Sequence, residues 1–258
     1  MGDYTILLWL LKLGALANVY FWVNTAAANV DPYLIVPART FFAVCAYRCL
    51  FPVRYEHNVV FHDSALSSVF ATRALATFAE IAYIFLLAYV LHVLNAEHVA
   101  WVTGAARLMV LQVVVCQACV WVAILTEQFA FYFYEELGWV VMYMANTIAS
   151  AYLYVTVDAL AGGASLLVLN VVFGVVYLPF ELINLGAVRA QAKREGAPAA
   201  PWTRERFATG LRRSIQVKNP RTDAESWGGL VGLIWMTGYW ATVLPLWVYY
   251  IVAVLSAR

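Results

Sequence analysis

Charged side chains are scarce in this chain. Lys, Arg, Asp and Glu make up only 12% of the 258 residues, whereas 64% are hydrophobic, and the mean hydropathy is +0.75. A soluble domain carries roughly twice this share of charge. The composition therefore excludes an ordinary water-soluble domain and predicts an integral membrane protein. The net charge is only +1, and no basic stripe with interleaved aromatic residues occurs outside one loop, so we expect no nucleic-acid partner.

Histidine and cysteine are also few, with four of each, and no His follows His98. This excludes the His-rich membrane desaturases and hydroxylases, as well as membrane hydrolases that need a His in their late helices. The spacing of His57 and His62 matches no helical pair of metal ligands, so no metal site is predicted, and the cofactor is left unknown. The cysteines lie within predicted spans, which indicates no extracellular disulfide framework. The last apolar run contains no Lys, so a retinal Schiff base is excluded too.

Long apolar runs are abundant. Each is long enough to cross a bilayer as a helix, and short connections with turn-forming residues separate them. They predict an all-α fold, a bundle of about seven transmembrane helices forming one integral membrane domain over residues 1–258. The runs cover residues 5–24, 33–51, 65–94, 100–124, 137–155, 164–187 and 229–255.

The segment 188–226 is polar and carries nine Lys or Arg against four Asp or Glu. Part of it has the pattern of a short amphipathic helix lying on the membrane surface. Because basic loops face the cytoplasm, we predict that this loop and the amino terminus are cytoplasmic and that the carboxyl terminus is outside. The connections 25–32, 95–99 and 156–163, which then face outside, contain no Lys or Arg.

One carboxylate falls deep within a predicted span. Glu80 stands near the middle of the run 65–94, where an unpaired charge is costly. Intramembrane ionisable residues mark functional sites by default, and a carboxylic acid at this depth suits a proton donor. Arg39 and Arg107 enter from the outer side, and one of them is predicted to be the charge partner of Glu80.

Further charges are expected in the cytoplasmic half of the bundle. Three cations (Lys12, Arg48 and Arg73) fall at a similar depth to three carboxylates, which predicts internal pairing. Asp63 precedes the third span, where its side chain can cap the helix. Buried pairs that only hold helices in register are the structural alternative to a functional site. The candidate catalytic residues are Glu80, Arg73, Asp63, Glu135 and Glu136, and the candidate charge partners are Arg39, Arg107 and Glu181.

Aromatic residues make up 16% of the chain. Some are expected in belts at the membrane surfaces, but others fall at middle depth, where they could line a pocket or stabilise a carbocation. Trp235 and Tyr239 are four residues apart and are predicted to share one helix face. The candidate pocket residues are Tyr83, Asn146, Trp235, Tyr239 and Trp240.

These features favour a small multi-pass membrane protein with an aromatic-lined intramembrane pocket. We expect an enzyme that acts on a membrane lipid or a lipid-like small molecule, such as an isoprenoid, by acid-catalysed cyclisation or isomerisation. Two alternatives stay open: a transporter or channel with a polar path through Glu80, and a non-catalytic pigment-binding or lipid-binding subunit. A homo-oligomer or a larger membrane complex is compatible with each, in a bacterial inner membrane or a eukaryotic organelle membrane.

Overall fold

The computed structural model describes residues 2–26, 31–156, 163–194 and 202–257. Within these ranges the chain forms eight main helices, so the all-α class is confirmed. The sequence did not predict three short strands, β1 (Val53–Arg54), β2 (Val59–Val60) and β3 (Asn219–Pro220). The helices are α1 (Thr5–Ala26), α2 (Pro32–Leu50), α3 (Val69–Leu94), α4 (Ala100–Thr126), α5 (Ala130–Thr156), α6 (Ala164–Arg194), α7 (Arg204–Gln216) and α8 (Gly229–Ser256).

In the described part of the chain, six helices are long and apolar enough to cross a membrane: α1, α2, α3, α4, α6 and α8. This number of apolar helices is typical of a membrane protein. The 27-residue α5 is not among the six, because several tyrosines and two glutamates make it less apolar. It nevertheless packs between α4 and α6. The count of seven spans and the orientation of the termini stay predictions.

The helices pack largely in chain order, each from α1 to α6 lying against the next. The last helix, α8, returns to pack against α1, α2 and α3. It meets α6 through aromatic pairs, with ring centroids 4.7 Å apart for Phe173 and Trp247 and 6.4 Å apart for Tyr177 and Trp235. Because α6 and α8 meet through long side chains, space remains between them for the cavity described below.

The end of the bundle at which α2, α4 and α6 finish is called the basic end, because it carries α7. This helix confirms the amphipathic segment predicted there, while its placement on a membrane surface stays a prediction. Arg213 donates to the carbonyl of Ile124 at 2.7 Å and Arg206 to that of Thr126 at 3.0 Å. These carbonyls end α4 and have no partner within their own helix. A Cβ atom at Gly210 would lie only 1.9 Å from the carbonyl oxygen of Leu125, so α7 approaches α4 backbone to backbone.

A three-stranded sheet at the basic end orders the segment after α7. Strand β2 pairs antiparallel with β1 and parallel with β3. Arg54 then donates to the carbonyl of Ser226 at 2.9 Å, and the indole of Trp227 donates to the carbonyl of Arg221 at 2.8 Å. The amino terminus joins this layer, since the backbone N–H of Tyr4 donates to Thr222 at 2.7 Å. The sheet thus holds residues 54–56 at the mouth of the cavity.

The start of α3 differs from the prediction. The helix begins at Val69, after a short 3₁₀ turn, and its cap is Ser68, whose hydroxyl accepts from the backbone N–H of Ala71 at 3.2 Å. Asp63, predicted as the cap, is exposed five residues earlier. The prediction failed because the turn inserts residues between the acidic side chain and the first helical turn.

Candidate functional site

A cavity of about 330 Å³ lies at the basic end, between α5 and α6 on one side and α8, α2 and α3 on the other. Its walls carry both ionisable and aromatic side chains, which is unusual inside a bundle of apolar helices. The charged lining residues are Arg48, Arg54, Glu56, Arg73, Glu80, Glu135 and Glu136, and the aromatic ones are Tyr55, Tyr132, Trp139, Trp227, Trp235, Tyr239 and Trp240.

Glu80 is held in a buried ion pair. Both of its carboxylate oxygens accept from Arg73, at 3.2 and 2.7 Å, and the side-chain amide of Gln117 donates to one of them at 2.9 Å. The amide oxygen of Gln117 in turn accepts from Arg73. The prediction that Arg39 or Arg107 is the partner of Glu80 is therefore wrong. Arg39 stacks instead on Trp22, with the guanidinium carbon 4.0 Å from the ring centroid, and Arg107 is exposed on α4.

The Arg73–Glu80 pair had a signal in the sequence. The two residues are seven apart, so two turns of α3 place them on the same face about 10 Å apart along the axis. That distance exceeds the usual i, i+4 reach, but the long arginine side chain spans it. The sequence did not single out Gln117, because an amide between Cys116 and Cys119 has no distinctive pattern around it; all four cysteines are free thiols in the structure.

Three carboxyl groups from α5 and α6 lie beyond this pair. Glu135 approaches Arg73 at 3.9 Å and is buried. Glu136 lines the cavity next to Glu181, which is fully buried and close to Tyr177. One oxygen of Glu181 accepts from the amide of Asn184 at 3.3 Å. Among the described residues, the Oε2 atoms of Glu136 and Glu181 and the hydroxyl of Tyr177 make no hydrogen bond of good geometry.

The predicted pairing of these carboxylates with Lys12 and Arg48 is wrong. Lys12 donates instead to the carbonyls of Cys49 and Leu50, at the end of α2. A cation in this position satisfies the unpaired carbonyls of a helix end. Arg48 is 9% exposed and stacks on Trp240 with its guanidinium carbon 4.2 Å from the ring centroid. Arg48, which the sequence marked only as one of a charge pair, thus lines the cavity without that pair.

Part of the aromatic wall lies where α8 changes its helix type. Gly229–Ile234 and Val243–Ser256 are α-helical, but Trp235–Ala241 between them form a π-helix. π-Helical inserts are rare in proteins, and those that occur are often found at functional sites. Tyr239 and Trp240 lie in this π-helical segment, and both are buried with ring centroids 4.4 Å apart.

Neighbouring helices satisfy the backbone that the π-helix disturbs. The carbonyl of Trp240 accepts from the amide of Asn18 at 3.0 Å and from the thiol of Cys49 at 3.4 Å. The hydroxyl of Thr242 donates to the carbonyl of Thr237 at 2.8 Å. Trp235 does pack on Tyr239, at 5.2 Å between ring centroids, but through π-helical geometry instead of the predicted α-helical face.

Some candidate residues do not reach the cavity. Asp63 is exposed outside it. Asn146 lies in the interface of α5 and α6, where its amide oxygen accepts from Asn170 at 3.5 Å. Tyr83 is fully buried behind the wall, 6.3 Å from the ring of Tyr239, and its hydroxyl oxygen accepts from Tyr143 at 3.2 Å. No three His, Cys, Asp or Glu side chains in the described ranges are grouped so as to hold a metal ion.

Aromatic contacts mark the extent of the cavity along the bundle. The rings of Tyr177 and Trp235 meet between α6 and α8. Nearer the basic end, the same two helices line the cavity, α6 with Gln191 and α8 with Val231. Toward the other end of the bundle, Phe41 packs on Tyr83, with ring centroids 5.4 Å apart, and both are fully buried.

Comparison of the chain with known protein families, with curated proteins and with solved structures finds no match.

Proposed function

We propose that the chain is a membrane enzyme that isomerises or cyclises a lipid, such as an isoprenoid, by proton transfer. The observation that carries this proposal is the cavity of about 330 Å³ that combines buried carboxyl groups with aromatic side chains. Cavities from about 300 Å³ upward are large enough for small organic ligands. The position of this one, between membrane-length helices, suits a ligand that is itself partly apolar.

The proton donor in this proposal is Glu136, in place of Glu80. Glu80 accepts three hydrogen bonds from Arg73 and Gln117, so both of its oxygens are already occupied by donors within the protein. Glu136 lies beside Glu181, and two neighbouring carboxyl groups hold a proton between them more readily than two separate charges. Glu80 and Arg73 then hold the wall in place and set its charge.

The proposed step conserves atoms and electrons. Glu136 gives its proton to one carbon of a substrate double bond, and the resulting carbocation lies against the faces of Trp235 and Tyr239, which attract cations. A proton then leaves a neighbouring carbon, and Glu135 accepts it before the carboxyl groups exchange it back. No oxidant or reductant is needed.

A transport role requires a polar path past Glu80 to the opposite end. Phe41 and Tyr83, both fully buried, occupy that region, which favours the enzyme over a channel. A purely structural subunit needs no cavity beside the ion pair. The cavity therefore favours a ligand site over a purely structural role. A non-catalytic lipid-binding or pigment-binding subunit would have the same cavity, and the deuterium experiment below separates it from an enzyme.

Deuterium incorporation tests the proposal. The purified protein is incubated in D₂O with a total lipid extract of the cells that express it, and the lipids are compared by mass spectrometry. We expect one lipid class to gain deuterium, and we expect Glu136→Gln to abolish that gain. Glu97→Gln, in the exposed turn before α4, is the matched control and should leave it unchanged. Equal incorporation by the Glu136→Gln protein, or none by the wild type, would contradict the proposal.

A further inference from the structure

We infer that the cavity binds the anionic head group of its ligand, a phosphate or similar group, between Arg48 and Tyr239. The assignment of the ligand as a lipid rests on the proposed function. The anion site itself rests on the geometry of the two side chains and on the charges around them.

Arg48 is a buried cation that has no carboxylate partner in the described ranges of the chain. Its guanidinium donates to the hydroxyl of Tyr55 and, at 3.4 Å, to the carbonyl of Val53. Among the described residues it makes no ion pair within 4.0 Å, and its Nε–H makes no hydrogen bond. A buried arginine normally pairs with an anion. The group that it lacks is one that a ligand in the cavity can supply.

The other two arginines that line the cavity are already paired with carboxylates. Arg54 pairs with Glu56 at 3.0 Å, and Arg73 pairs with Glu80 at 2.7 Å. The carbonyls that end α2 are taken by Lys12. Arg48 is therefore the cation of the cavity wall whose charge remains available to a ligand.

Tyr239 supplies a second donor. It is 7% exposed and lines the same cavity, and its hydroxyl makes no hydrogen bond in the described part of the chain. Both Arg48 and Tyr239 contact Trp240, with separations from its ring centroid of 4.2 and 4.4 Å. A charged donor and a neutral donor thus line one cavity and pack on one indole ring, and an anion between them is the ligand that we propose.

An aromatic row leads away from this site. It runs from Trp240 through Tyr239 and Trp235 to Tyr177, with successive ring centroids 4.4, 5.2 and 6.4 Å apart. Tyr177 stands beside Glu181 and close to Glu136. An amphiphile whose anion lies on Arg48 would therefore extend its apolar chain along the row toward the carboxyl groups. This identifies the ligand class as a lipid with an anionic head.

Binding of hexadecyl phosphate in a neutral detergent, followed by tryptophan fluorescence, tests the inference. Inorganic phosphate and hexadecyl maltoside are the comparison probes. We expect the wild type to bind hexadecyl phosphate, and Arg48→Gln to weaken that binding by roughly tenfold or more, as loss of a buried charged donor does. Arg212→Gln, which removes an exposed arginine of α7, should leave the affinity unchanged.

The three probes distinguish a lipid head group from free phosphate as the source of the anion. Competition by inorganic phosphate that is lost in Arg48→Gln supports the site and shows that the anion alone is recognised. Binding of the alkyl phosphate without such competition supports a lipid head group. Affinities of wild type and Arg48→Gln that agree within about twofold, or wild-type binding no tighter to hexadecyl phosphate than to the maltoside, would overturn the inference.

If Arg48→Gln does not fold, Tyr239→Phe replaces it, because it removes a single oxygen. Several-fold weaker binding is expected, and unchanged binding overturns the site. This assay needs no turnover, so it fails separately from the proposed function. If a Glu136→Gln protein still binds phosphate but incorporates no deuterium, both the anion site and the enzyme are supported. Deuterium incorporation by the wild type without phosphate binding supports the enzyme and overturns the anion site.

Discussion

Removing Arg73 alone should destabilise the bundle more than removing Glu80 alone, and removing both should cost less than the sum. The pair is 1% and 5% exposed, so neither charge is solvated when its partner is lost. We compare Arg73→Met, Glu80→Leu and the double variant. These substitutions keep side chains of similar length and remove charge from one partner or from both.

The structure sets the order of the effects. Arg73→Met leaves Glu80 without its two hydrogen bonds from arginine and Glu135 without its cation at 3.9 Å. Loss of one partner of a buried pair costs about 3–5 kcal/mol, and this variant should lie at the upper end. Glu80→Leu leaves Arg73 with Glu135 and Gln117 and should lie at the lower end. Because apolar replacement of a whole pair is often near neutral, the coupling energy should be about 3 kcal/mol or more.

Unfolding of the purified protein in mixed micelles of maltoside and dodecyl sulfate, followed by tryptophan fluorescence, measures these free energies. The exposed Arg212→Met is the control and should change stability by no more than about 0.5 kcal/mol. Additive single effects, or an Arg73→Met protein as stable as the wild type, would refute the reasoning that neither charge is solvated and that each stabilises the other.

Two further predictions concern the two ends of the bundle. Gly210→Ala should release α7 and speed proteolysis of the 188–226 segment, because its Cβ would lie 1.9 Å from a carbonyl oxygen of α4. Gly186→Ala in α6 is the control, since no atom lies within 4 Å of the added Cβ there. Equal digestion of both variants would count against the docking of α7 on α4. The hydroxyl of Tyr89, and then the backbone N–H of Tyr33, lower the pKa of Asp31 at the start of α2. Its stabilising effect should therefore be complete above the usual Asp pKa of about 4 and disappear as the pH falls through the lowered value. The difference in thermal midpoint between wild type and Asp31→Asn should shrink on acidification, and a difference independent of pH would disprove it.

The helical elements followed from the sequence, except that α6 continues to Arg194, seven residues into the segment predicted as a loop. Six predicted runs begin within about four residues of the observed helices, because apolar length alone marks them. The exception is α5, which begins at residue 130 in place of 137. The stretch 130–136, rich in Phe and Tyr with two glutamates, resembles a connection by composition, but packing against α4 and α6 makes it helical.

The site was predictable only as a set of residue types. Glu80, Arg73, Glu135 and Glu136 all line the cavity, since intramembrane charges are rare and turn inward. Asp63 and Asn146 were included by position in the chain, yet one is exposed and the other lies between α5 and α6. Position along a helix gives depth, but it does not give the direction in which a side chain points relative to other helices.

The sequence by itself determined that this is a helical protein with several membrane-length apolar segments, because burial in a bilayer depends on the local run of residues. The tertiary structure alone decided which cation pairs with Glu80, that Arg48 has no carboxylate partner among the residues that the structure describes, and that Tyr239 and Trp240 share one wall. Those features depend on how each helix is rotated and packed against the others, and on a π-helical turn whose extra residue is accommodated by contacts from α1 and α2.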